Sequence, residues 1–111
     1  MPKRDPFTAL ADPTRRAVLD LLREEGTLPA GHIAAHFPRV SRAAVSKHLR
    51  VLREAELVRA REVGREWHYS LDPEPLVEIY QRWIAPFVPG WEAGLQELKR
   101  RIEEDPDDGR A

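Results

Sequence analysis

The sequence predicts a mainly α domain carrying one small β-hairpin, an α+β fold whose core is built by helices. Three observations lead there. Apolar residues recur at steps of three and four, most clearly at Val45, Leu49, Leu52 and Ala55, which is one stripe of an α-helix. Leu57 to Arg61 and Glu66 to Leu71 read instead as strands, separated by Val63-Gly64-Arg65, where Gly64 is free to take a positive φ. Asp12-Pro13 and Asp72-Pro73 each spell a helix start, a capping carboxylate followed by a residue preset for the first turn.

Taken in order, Phe7 to Leu10 reads as a short helical turn that packs Phe7 and Leu10 inward. The helix opened by Asp12 buries Ala17, Val18, Leu21 and Leu22, leaves Arg15, Arg16, Asp20 and Arg23 outside, and stops at Gly26. A second helix starts near Leu28 or Pro29, carries Ile33, Ala34 and Phe37 inward and ends before Pro38. Ser41 then caps a third, whose hydroxyl can accept from an orphan amide of the first turn. Two such helices joined by a tight turn make a helix-turn-helix unit. In the hairpin, Trp67 and Tyr69 alternate with Glu66, His68 and Ser70, and the two aromatics are expected to fill the core beneath it. Beyond Asp72-Pro73, Ile84, Trp91 and Leu98 are spaced by seven, as are Val88, Leu95 and Ile102. Pro86, Pro89 and Gly90 interrupt them, so this segment is either one kinked helix or two. The expected boundaries are 1–72 for the helix-turn-helix with its hairpin, 73–104 for the C-terminal helical segment and 105–111 for a disordered tail.

Charge patterning narrows the function. The net charge is only −1, yet between Arg39 and Arg65 eight basic residues face three acidic ones, while acids gather near the C-terminus. A localised basic surface on a near-neutral chain suits docking in one orientation. Arg42, Ser46, Lys47, Arg50 and Arg53 fall away from the buried stripe of the Ser41 helix, where they can donate to base edges and phosphates of a DNA groove. With 111 residues and 41% hydrophobic content the core is modest, a situation often completed by oligomerisation. Cysteine is absent, which excludes disulfides and thiolate chemistry. No apolar run approaches the ~18 residues of a membrane span, and no secretory signal is read at the start. Nucleophile elbows, P-loops and dinucleotide fingerprints are missing, so an enzyme is not expected.

The segments ALADPTRRAVLDLL, GHIAAHF, SRAAVSKHLRVLREAELV and VGREWHYSL, in that order, resemble the ArsR-type winged helix-turn-helix repressors over roughly Phe7 to Leu71. The tail APFVPGWEAGLQELK resembles a subgroup with a Trp-containing dimerisation helix. The resemblance implies a cytoplasmic homodimer that represses its own or neighbouring genes from an inverted-repeat operator in double-stranded DNA. Its first and last helices would form the subunit interface, through Phe7, Leu10, Ile84, Phe87, Trp91, Leu95 and Leu98. Ser41, Arg42, Ala43, Ser46, Lys47, His48 and Arg50 on the inserted helix, with Arg61 and Arg65 on the wing, would contact DNA.

Metal-sensing members carry a cysteine pair in the helix that here reads LPAGHIAAHF, or His and acidic ligands in the C-terminal helix; this chain has neither. His32 and His36 stand four apart on one helical face, a spacing able to bind zinc or nickel, although Ile33 occupies the place of the glutamate in a metalloprotease helix. They are read as surface histidines, and no metal or cofactor is assigned. A metal-responsive sensor using His32 and His36, or a protein-interaction winged helix without DNA binding, are the alternatives, and the effector is not identified.

Overall fold

The computed structural model describes residues 2–104. The first compact unit ends at Leu76 and the second begins at Val77. In the first, α1 (Pro6–Leu10) and α2 (Pro13–Glu25) precede a two-residue strand β1 (Leu28–Pro29), α3 (Ala30–Ala35), α4 (Arg42–Glu54) and a hairpin of β2 (Val58–Val63) and β3 (Glu66–Leu71). The sheet order is β1-β3-β2, antiparallel throughout. This is a winged helix-turn-helix, mainly α with a small sheet.

The caps expected at Asp12 and Ser41 form. Asp12 accepts from the amides of Thr14 and Arg15 at 2.8 and 3.1 Å, with Pro13 in the first turn, and Gly26 closes α2 at φ 82°. Ser41 Oγ accepts from the Ala44 amide at 3.1 Å. The core consists of Ala9 from α1, Val18, Leu19, Leu21 and Leu22 from α2, Leu28, Ile33 from α3, Val45, Leu49, Val51 and Leu52 from α4, and Ala55, Leu57 and Val58 beyond it. The buried stripe of α4 therefore falls where its spacing placed it.

Several details differ from the expectation. Phe7 is 47% exposed and Ala9 is the buried residue of α1, because five residues make little more than one turn and present a single side chain to the core. Leu10 is half buried against it. Arg15 and Arg16 are not merely solvated: Arg15 donates to the carbonyls of Ala9 and Thr8, and Arg16 to that of Leu10. They satisfy the carbonyls that so short a helix leaves open at its end. The segment at Leu28-Pro29 is a strand rather than the start of α3, pairing Leu28 with Tyr69 and Pro29 with His68.

β2 runs on to Val63, which pairs with Glu66, so the hairpin loop is the two residues Gly64-Arg65. Gly64 has φ 65°, and a glycine at the first loop position matches the twist of the flanking strands. Along the inner face, burial falls from Val58 and Leu71 through Ala60 and Tyr69 to exposed Glu62 and Trp67. Tyr69 packs on the core as expected, whereas Trp67 is 45% exposed: the strands extend beyond the helices, and nothing in the core reaches that far.

At the C-terminal end of α4 the chain turns through Glu56 at φ 61°, with Glu56 N–H donating to the Arg53 carbonyl and Leu57 N–H to that of Leu52. This is a Schellman closure with glutamate in the left-handed position usually given to glycine.

Beyond Asp72, whose carboxylate accepts from the Glu74 amide at 3.1 Å, α5 (Glu74–Ile79) passes into a π turn at Tyr80–Ile84 and a 3₁₀ turn at Ala85–Phe87. A separate α6 (Trp91–Glu104) follows, Gly90 lying between at φ 81°. The prolines and glycine thus yield two α-helices rather than one kinked rod. No described residue of α6 is buried. The tail expected at 105–111 lies outside the described residues.

Candidate nucleic-acid interface

The outer face of α4 is the complement of its core stripe. With Val45, Leu49 and Leu52 turned inward, Arg42, Ala43, Ser46, Lys47, Arg50 and Arg53 are all exposed, and so is the cap Ser41. Because Ser41 accepts from the third amide of the helix, the first turn retains unbonded amides beside Arg42 and Ala43. Arginines that are ion-paired lie elsewhere: Arg4 with Glu54, Arg23 with Asp20, Arg59 with Asp72, and Arg100 and Arg101 with Glu97. Arg42, Lys47, Arg61 and Arg65 join none of the ion pairs among the described residues.

On the hairpin, Arg65 occupies the loop and Arg61 pairs across the strands with His68. Both arginines are exposed. His48 is half buried, its Nδ1 3.2 Å from Arg15 Nη1. A guanidinium can only donate, so Nδ1 accepts and the neutral ring carries its proton on Nε2. His48 thereby joins α4 to α2, a contact with no periodic signal in sequence.

Electrostatics fixes both ends of this frame. Partial burial would raise the Asp12 carboxyl, but hydrogen bonds from the Arg15 and Thr14 amides and the nearby Arg15 charge outweigh it and hold the group below its ordinary pKa. Glu54 is also lowered, first by its hydrogen bonds from Arg4, at 3.1 and 2.9 Å. The backbone amide of Arg4 donates to the Glu54 carbonyl as well, so the N-terminal segment is tied to the end of α4.

Of the residues expected at a subunit interface, Phe7, Ile84, Phe87, Leu95 and Leu98 are exposed and Leu10 is half buried. The side chain of Trp91 lies outside the described residues.

A family profile described as a helix-turn-helix domain matches residues 10–61. The transcriptional repressor SdpR of Bacillus subtilis is 39% identical over 82 residues, which span 74% of this chain and 88% of that protein. The chain belongs to the ArsR family of transcriptional regulators. A crystal structure titled as a possible transcriptional regulator for arsenical resistance superposes with a TM-score of 0.64 at 38% identity, covering 81% of this chain and 92% of the other. An ArsR-like transcriptional regulator from Rhodococcus sp. RHA1 gives 0.60 at 29% identity, over 92% and 88%. This ArsR family member is a DNA-binding transcriptional regulator, not an enzyme. No described helix is long and apolar enough to cross a membrane.

Proposed function

We propose that this ArsR family regulator acts in the cytoplasm as a homodimeric repressor that binds an inverted-repeat operator. The observation that carries the reading is the exposure of Ser46 and Lys47 on the face of α4 opposite the core, with Arg61 and Arg65 exposed on the adjoining hairpin. The first turn of α4, with Ser41 and Arg42, holds a phosphate, since free amides and the helix dipole favour an anion there. Ala43, Ser46 and Lys47 face base edges, Ala43 being suited to a thymine methyl. His48, through its Nε2–H, and Arg50 clamp the backbone; Arg61 and Arg65 reach flanking phosphates or a narrow minor groove.

Homodimerisation is supported by the apolar side chains of Leu95, Leu98 and Ile102, which lie at steps of three and four along α6 and are all exposed. Such a stripe needs a second helix to cover it. Repression is supported by the Bacillus subtilis relative, which is titled a repressor.

Selecting bound sites from random duplexes tests the whole. A palindrome with half-sites about 34–36 Å apart, or a multiple, bound by two protomers, is expected; an asymmetric site bound by one protomer overturns the dimer. Ser46→Ala or Lys47→Ala should cost ~1–3 kcal/mol at the selected site and relax base preference. An equal loss on random DNA would assign them to phosphate.

A further inference from the structure

We propose that Glu25, His32 and His36 form a binding site for a divalent first-row transition metal of the zinc class. Glu25 is the last residue of α2, and the two histidines share one face of α3. His36 Nε2 lies 3.4 Å from Glu25 Oε2 and His32 Nε2 lies 3.7 Å from Glu25 Oε1, and one ligand atom from each residue falls within 4.8 Å of the others. Zinc bonds of about 2.0–2.1 Å place tetrahedral ligand atoms roughly 3.4 Å apart. His36 Nε2 stands at that edge from one carboxylate oxygen and His32 Nε2 close to it from the other, and all three side chains are exposed and free to bring a single oxygen and both nitrogens together.

The hydrogen bonding of His36 adds an independent reason. Its Nδ1 is 3.1 Å from the His32 carbonyl oxygen, which can only accept, so Nδ1 carries the proton. That tautomer leaves the Nε2 lone pair of His36 free on the side of the ring that faces the Glu25 carboxylate, 3.4 Å away. A backbone carbonyl that fixes the tautomer of a ligating histidine is also the usual support of such ligands.

Imidazole and carboxylate donors without thiolate suit zinc, nickel or cobalt, and three protein donors leave a coordination position for water. Sequence spacing offered only the histidine pair; Glu25 joins because Gly26 and the β1 strand turn α3 back on the end of α2. The site stands apart from the DNA-binding reading.

The test uses the full chain without a histidine tag, titrated with Co²⁺ in visible absorbance and with Zn²⁺ against a chelating dye. One ion per protomer is expected, and a raised thermal midpoint with Zn²⁺. His32→Gln, His36→Gln and Glu25→Gln should each weaken binding about tenfold or more and abolish the thermal shift, while His68→Gln leaves both intact. No saturable binding overturns the site. So does full affinity in any one of the three variants.

Discussion

Asp12 is the residue on which α2 turns. It accepts from two amides of the first turn, and its carboxyl is held below its ordinary value of 3.8 although burial opposes this. A lowered folded pKa means that the stabilisation is present in full above the ordinary value and is lost as the pH falls through the folded one. Asp12→Ala is therefore expected to cost about 1 kcal/mol at neutral pH. In urea titrations the gap between variant and parent should narrow as the pH falls below the ordinary value of 3.8; a constant gap would show that the charged carboxylate is not what stabilises the cap. At the other end of the proposed DNA surface, Arg65 stands at the loop tip. Arg65→Ala should weaken binding to all duplexes alike and reduce the salt slope by roughly one. An unchanged slope would remove the wing from the contacts.

Among the elements, α4 was the most legible. Val45, Leu49, Leu52 and Ala55 repeat often enough to declare the buried side, and everything exposed follows from that. The hairpin was legible in position but not in depth. Alternation says that Trp67 and Tyr69 share a face, yet only the distance each lies from the helices decides that Tyr69 is covered and Trp67 is not. β1 left no trace because two residues cannot show a period of two. Nor did the closure of α4, since glutamate at 56 hides a left-handed backbone that glycine would have advertised. An L-residue there costs about 1–2 kcal/mol, partly offset when glycine loses more backbone entropy. Glu56→Gly should accordingly stabilise the domain by roughly 0.5–1 kcal/mol, measured as a higher urea midpoint at unchanged slope. A loss of stability would mean that the Glu56 side chain contributes more than its backbone costs.

For the whole molecule, the core of the first unit is drawn entirely from residues before Val77, while Leu95, Leu98 and Ile102 of α6 remain exposed. Leu98→Asp should leave the winged domain folded and shift a dimer toward monomer in sedimentation. Each protomer loses about 1.5–3 kcal/mol of buried leucine, so dissociation should strengthen by two orders of magnitude or more. A dimer that persists at nanomolar concentration would place the interface elsewhere. The proposed subunit interface rests on family resemblance. Hydrophobic spacing marks a side that wants covering without saying what covers it.

The Leu28-Pro29 pairing with β3 couples two parts of the reading head that the linear order keeps apart. The same four-residue link that sets the angle between α2 and α3 also stitches down the rear strand of the wing. Lengthening it by a residue would not be absorbed as surface loops absorb insertions; it would tilt helix and wing together. Protein engineers retargeting this scaffold would do better to vary the outer face of α4 and leave that stitch alone.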